Sequence, residues 1–586
     1  MLQTIIKQNS YQDSVVLMLL TSKLNQLPFV ERVSIMMGTP ANKDIFIASG
    51  FDTPELADAT ANDMVIMLEV NDESKTDDVL TMIDEELNKD ADNGGEVNEN
   101  INSWEKALKK MPDANVALLS IPGTYAALEA EKALDNGLHA FIFSDNMSLE
   151  DETRLKQKAH EKGLLVMGPD CGTGILHRLP LAFTNNTRPG GIGVVGASGT
   201  GIQEVTTLVH RYGAGITNAI GTGGRDLSSE VGATTMMDGI LALNHDDNTE
   251  VIVIISKPPA QEIKEKVLAR LHAVEKPVVA LFLGDKPTEH EENLYHAYTL
   301  EEAAQLSVKL LNKEEVLYVP SQAKAVDVKL APSQTGIKGY YAGGTLAYEA
   351  SVLIEEALEL EHHQSPEGYT LKHDSHEVID LGDDMYTSGK PHPMIDPENR
   401  INKIKDVINQ EETAVVLFDV VLGYGAHMDM ASELVKPITE VQTALKETDR
   451  EVAFVAVIVG TDLDPQGYDE QRQILEEAGV VVCENNVEAI QTALSVIDRG
   501  LTFAEKAVKP AEKSNETLPD ASDAIQRLMN EKPKVINIGL KSFTDSILDN
   551  HGEVVHFEWK PAAGGDVHLQ KVLYFLDHYE FDKEAH

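Results

Sequence analysis

The residues best equipped for chemistry stand where apolar strands run into glycine turns. In GIGVVGASGTGIQEVTTLVH, Val194 and Val195 end a strand, Ser198, Gly199 and Thr200 form the turn, and Ile202, Val205, Leu208 and Val209 recur at helical spacing. A helix start of this kind exposes unpaired N–H groups and the positive end of the peptide dipole, which favours an anion by about 0.3–1 kcal/mol per charge. A second set, Gly343, Gly344 and Thr345 in YYAGGTLAYEA, has the same order of parts. A third lies in LGDDMYTSGKPHPMIDPENR, where Gly382, Asp383, Asp384, Lys390, His392 and Asp396 crowd one loop. There Lys390 supplies fixed charge, His392 can carry a proton near neutrality, and Asp384 can orient or accept one. The expected catalytic set is His392, Lys390 and Asp384. The expected phosphate-binding set is Ser198, Gly199, Thr200, Gly343, Gly344, Thr345, Gly382 and Asp383. The competing readings are a glycine turn that only lets a strand and helix pack, and a proline-fixed surface loop.

Two common phosphate motifs fail in detail. Gly191, Gly193 and Gly196 match GxGxxG, but the first two precede the turn, and Ile202 follows Gly201 where a Walker loop needs lysine. The repeat is more informative. A glutamate follows each threonine by four residues, Glu204 and Glu349, and each copy continues into a strand ending in glycine and acid, ITNAIGTGGRD and VIDLGDD. This predicts two similar α/β domains.

These segments carry a family resemblance. SGT with Glu204, GGTLAYEA, and MGPDCGTGIL from Met167 resemble the succinyl-CoA synthetase superfamily. Within it the chain resembles the FdrA family along nearly its whole length, from QDSVVLMLL and MMGTPANKD through GTDLDPQG to INIGLKSFTDSI and EWKPAAGGD. The implied fold is α/β, with several parallel-sheet Rossmann-like or flavodoxin-like domains, a CoA-binding-like domain and two ligase-like domains. The resemblance also implies that Ile121, Pro122, Gly123 and Thr124 form a nucleotide-facing strand end, where CoA or another nucleotide would bind. No cofactor or metal follows from the residues alone.

To position these loops, the chain divides into a small α+β domain at 1–110, a CoA-binding-like domain at 111–190, and ligase-like domains at 191–318 and 335–500. A linker at 501–531 and a βαβ-like module at 532–586 complete it. The 586 residues carry 49 Lys plus Arg against 96 Asp plus Glu, a net charge of −47 that argues against nucleic acid and anionic membranes. Two cysteines, Cys171 and Cys483, give no disulfide framework, and no apolar run is long enough for a signal or a span, so a cytoplasmic setting is expected. Cys171 lacks an adjacent histidine, and His362, His363, His373 and His376 lack helical ligand spacing, so neither group is assigned chemistry.

The resemblance implies a subunit of an oxamate carbamoyltransferase, exchanging oxalurate and phosphate with oxamate and carbamoyl phosphate within an oligomeric complex. Two departures from the synthetases support it. Neither His290 nor His296 in LGDKPTEHEENLYHAY matches the family's phosphorylated histidine, and no stretch resembles an ATP-grasp domain. The alternatives are an acyl-CoA ligase subunit acting with a separate nucleotide-binding subunit, and a non-catalytic scaffold.

Overall fold

A computed structural model describes residues 2–88, 101–360, 365–446, 448, 450–511 and 518–578. His362 and His363 lie outside them, as do parts of the two acidic, polar stretches near residues 90–100 and 512–517. The fold is α/β. Leu2–Lys7, Val30–Met37 and Met64–Val70 form an antiparallel sheet with Met64–Val70 in the middle. The other sheets contain five, six and nine strands and are mainly parallel.

The predicted repeat is built twice with the same strand order. In the first half the strands run Ile216–Gly221, Pro189–Ala197, Val251–Ser256, Val278–Phe282 and Leu294–Ala297. In the second they run His376–Asp380, Gly336–Tyr341, Thr413–Val421, Ala453–Val459 and Val481–Cys483. Each half sends a helix from its glycine turn, Gly199–Arg211 or Gly344–Ala357, and these two helices pack on each other. Ile202 and Val205 from one share an apolar cluster with Leu346 and Ala350 from the other, so the halves have a common core.

The repeated glutamates explain why the halves stay together. Glu204 accepts the N–H of Asn486 at 3.1 Å, at the start of helix Asn486–Val496 in the second half. Glu349 accepts the N–H of Leu300 at 2.8 Å, at the start of helix Leu300–Asn312 in the first half, and also the Asn486 side-chain amide at 2.8 Å. Each half therefore caps the last helix of the other, satisfying a backbone donor that a helix start leaves unpaired. Both glutamates are fully enclosed, and burial pushes each carboxyl up to about 7.

Two strands from the C-terminal segment, Lys534–Ile538 and Glu553–Phe557, add to Val116–Leu119, His139–Ile142 and Val166–Met167 in one five-stranded parallel sheet. Segments that the sequence reading kept apart thus form one layer. The reason is a non-local pairing: Val535 registers with Val116 and Ile538 with Leu119, completing an apolar centre that neither segment holds alone. Likewise, Ala507–Lys509, inside the expected linker, pairs with Glu289–Glu291 at the edge of the nine-stranded sheet.

The glutamate caps give a pH signature. Because the folded-state pKa is raised, the native state holds protons that the unfolded chain has released. The contribution to stability is therefore full below about pH 4.5 and is lost as pH rises through about 7. Glu204→Gln and Glu349→Gln should flatten this component, which is on the order of 3 kcal/mol per glutamate at most. Thermal midpoints of wild type and variants, compared at pH 5 and pH 8, should converge or cross; a constant offset would rule the assignment out.

Candidate functional site

The two helix starts meet. Ser198 Oγ and Thr345 Oγ1 share a hydrogen bond of 2.5 Å, and Thr200 Oγ1 accepts the N–H of Thr345 at 3.3 Å. A methyl group at Gly201 would stand 3.1 Å from Thr345 Cγ2, and one at Gly343 would stand 3.0 Å from Thr200 Cγ2, so bulkier residues would hold the turns apart. The structure thus brings Ser198, Gly199, Thr200, Gly343, Gly344 and Thr345 to one place.

The two starts are not equivalent. Ser198 caps its own helix by accepting the N–H of Gly201 at 3.1 Å, leaving Gly199 partly exposed. A methyl at Gly199 would meet nothing nearer than Thr173 Oγ1 at 3.7 Å. In the second half Gly343 replaces the serine, and Asp419 caps from behind, accepting the N–H groups of Ala342 at 2.7 Å and Gly343 at 2.8 Å. Buried Arg400 balances Asp419 with an Nη1–Oδ1 separation of 3.4 Å. A second carboxylate, Asp380, lies directly against Gly344 and accepts the N–H of Gly382 at 2.9 Å. One helix start is open to an incoming anion, and the other already faces a carboxylate.

Around them lies an acidic rim with one lysine. Ser256 registers with Ala197 in the parallel sheet, so Lys257 leaves the sheet beside Ser198. Its positive charge acts on both Asp170 and Asp380, while Asp145 and Asp384 act on Asp170 with like charge. Thinned hydration raises the carboxyls of Asp170 and Asp380 to about 6, with Lys257 opposing the rise in each case. His392 is partly buried, and desolvation followed by the nearby Arg400 charge lowers its imidazole to about 4. His392 Nδ1 accepts the N–H of Met394 at 3.2 Å, which leaves the ring proton on Nε2, the atom facing Gly382. At neutral pH this ring is an uncharged donor, so the expectation of a charged His392 is corrected by its burial.

The rest of the third loop is more peripheral. Asp383 caps the short helix Asp384–Thr387 and is exposed, as is Asp384. Lys390 is exposed and donates to Asn399 at 3.3 Å. The turn after Ala453–Val459 is structural: Asp464 accepts the Asn185 amide and the N–H groups of Asn186 and Thr461, each at 2.8 Å. Ile121 and Gly123 are buried, Pro122 is partly buried and Thr124 is exposed. Gly123 lies directly against the Asp145 carbonyl, and the neighbouring Tyr125 hydroxyl donates to Gly565 O at 3.0 Å. That turn is packed by protein, whereas a methyl at Gly199 would meet nothing nearer than ordinary contact with Thr173 Oγ1.

His290 and His296 stay away from the helix starts. His290 Nδ1 accepts the N–H of His296 at 3.1 Å, and His296 Nε2 pairs with Glu291 at 3.2 Å. Cys171 is buried, and desolvation pushes its thiol up to about 12. Among the described residues, no group of three or more His, Cys, Asp or Glu side chains is arranged to hold a metal. No helix there is long and apolar enough to cross a membrane.

Sequence reasoning missed Asp380, Asp419, Arg400, Asp170 and Lys257 as site residues. Asp419 had a usable signal, an acid in the middle of the apolar run VVLFDVV, because a charge is buried there only with partners.

Three family models match the chain: "CoA-ligase" at 340–496, "CoA binding domain" at 187–284, and "AllF, heavy metal-associated domain" at 1–102. Residues 1–102 contain no cysteine or histidine, and Met36, Met37, Met64 and Met67 are buried, so this segment does not fit a soft metal. The first two matches, on halves joined as described, define a CoA-ligase-like protein of the succinyl-CoA synthetase superfamily. Within it, the chain belongs to the family of YahF, an uncharacterised protein of Escherichia coli K12 that is 40% identical over 509 residues, covering 85% of this chain and 98% of YahF.

A second relative, the alpha 2 subunit of an ADP-forming succinate–CoA ligase from Archaeoglobus fulgidus, is 24% identical over 185 residues, 30% of this chain and 62% of that subunit. The chain therefore spans about three fifths of that relative. The solved structure of PH0766 from Pyrococcus horikoshii aligns with 67% of this chain and 86% of its own at 14% identity and a TM-score of 0.28.

The CoA-binding model falls on 187–284, which includes the helix start at Gly199. The matches correct one expectation. The CoA-ligase model and the ligase relative overturn the expectation of a carbamoyltransferase.

The burial of both thiols has a direct check. Cys171 and Cys483 should be silent toward an aromatic disulfide reagent at pH 8 in the native protein and should both react after denaturation. Rapid native labelling of Cys171 would reopen it as a nucleophile.

Proposed function

We propose that this chain is an acid–thiol ligase subunit of the FdrA type, which binds CoA and an acyl phosphate and acts with a separate nucleotide-binding subunit. The observation that carries this reading is the meeting of Ser198 and Thr345 at two helix starts, one inside the CoA-binding match and one inside the CoA-ligase match. An acyl phosphate is an anion with a labile P–O bond, and the open N–H groups at Gly199 with Lys257 beside them suit its oxygens.

The residues present fit CoA at the first half, where Gly199 is partly exposed and uncrowded and Lys257 offers positive charge to a phosphate. When bound, CoA supplies the thiol that accepts the acyl group. This chain's own part is to hold the oxyanion at Ser198–Thr200, to offset its charge with Lys257, and to donate a hydrogen bond from His392 Nε2. The exposed Lys390 and Asp384 add charge on the outer part of the third loop, where Asp384 acts on Asp145 and Asp170. The motif resemblance along the chain supports the FdrA branch.

Calorimetric titration of the purified full chain with CoA and, separately, inorganic phosphate should show saturable binding of both. Thr200→Val should weaken phosphate binding several-fold, the size expected on losing one hydrogen bond near about 1 kcal/mol. Conversion of simple carboxylic acids to CoA thioesters, with ATP and the protein encoded beside this chain, is the activity expected. Failure to bind CoA would overturn the reading.

A further inference from the structure

We infer that Asp380 is a covalent phosphoryl acceptor. The inference rests on the ligase reading above and names the residue that holds the phosphoryl group between donor and product. It starts from geometry: the Asp380 carboxylate stands at the end of strand His376–Asp380, against Gly344 at the first turn of the 14-residue helix Gly344–Ala357. Its Oδ1 is fixed by the Gly382 N–H at 2.9 Å, while no hydrogen bond to Oδ2 is formed among the described residues. The oxygen left without a hydrogen bond, Oδ2, is the one that lies against Gly344 at the second helix start.

Three further observations favour this oxygen over His210, His290, His296 and His392. His290 and His296 are tied into the far edge of the nine-stranded sheet. His210 is held by Asp462 at 2.6 Å. His392 turns Nε2 toward Gly382, but its Nδ1 accepts from Met394, so Nε2 carries the proton and has no lone pair to attack with. Lys257, which follows the strand end paired with Ala197, acts with its positive charge on both Asp170 and Asp380 and offsets the charge that a phosphoryl group would bring to an acidic rim.

The step balances without an added reagent beyond an acyl phosphate. An Asp380 carboxylate oxygen attacks phosphorus, a new O–P bond forms, and the P–O bond to the donor's acyl oxygen breaks. The donor leaves as its carboxylate, and one mixed anhydride is exchanged for another. No proton moves. The His392 Nε2 proton and the Gly199 N–H can hydrogen-bond the phosphoryl oxygens during transfer.

The test is incubation of the full chain with 32P-labelled acetyl phosphate, a mild acid quench, and borohydride reduction followed by peptide mass spectrometry. The expected label survives mild acid, is released by hydroxylamine and alkali, and leaves homoserine at position 380 after reduction. Asp380→Asn should lose the label while keeping the wild-type thermal midpoint, and Lys257→Met should reduce labelling by about tenfold. A label that is lost in acid but stable in alkali, homoserine elsewhere, retention in Asp380→Asn, or no label at all each overturns the inference. Because the borohydride mapping is done on the wild-type chain, misfolding of the variant cannot rescue it. CoA binding that persists alongside any of these negative results would leave the ligase reading standing.

Discussion

The structure depends on a reciprocal exchange of helix caps between two similar halves. Glu204 reaches from the first half to the start of a helix in the second, and Glu349 reaches back. Each carboxylate is buried, so leaving its partner N–H unpaired would cost about 1–3 kcal/mol, and the constraint pulls the intervening turns into contact. Ser198 and Thr345 meet because these caps fix how the two helices cross. The site is a by-product of that packing, and its chemistry is set by the residues around it.

The lining is asymmetric although the scaffold is nearly symmetric. The first half keeps its own serine cap and leaves Gly199 open, while the second has glycine instead and borrows Asp419. Buried Arg400 compensates Asp419, and desolvation, helped by the same positive charge, keeps the neighbouring imidazole neutral. A duplicated architecture thus yields one end that receives an anion and one end that presents a carboxylate. The divergence of Ser198 against Gly343, together with Asp419 and Asp380 in the second half, separates the two roles.

Much of this was legible in the sequence because it was local. The strand–turn–helix units, the repeat, and the matched glutamates follow from glycine placement and periodicity, and the structure brings both turns together. The role of the glutamates was not legible, since their partners Asn486 and Leu300 lie far along the chain and carry only backbone N–H groups. The crowding of polar residues in the third loop drew attention to Lys390 and Asp384, which are exposed, and away from Asp380 at the strand end beside them. Ile121–Thr124 looked like a ligand-facing strand end, but the pattern cannot show that the Asp145 backbone fills the space before Gly123. The enzymatic class was misjudged because the missing phosphohistidine was read as a change of reaction. The family matches to CoA-binding and CoA-ligase domains place the chain with the ligases instead.

The five-stranded sheet has a consequence for how the protein is made. Its central strand, Val116–Leu119, gains one neighbour from the next few dozen residues and the other only from Lys534–Ile538. During synthesis on the ribosome that apolar edge waits through more than four hundred residues of further translation before its partner emerges. The two ligase-like halves can assemble in the meantime, so the amino-terminal layer is the last to close. Premature termination near the end of the message would leave an uncovered strand edge, a template for aggregation and a mark for proteolytic clearance.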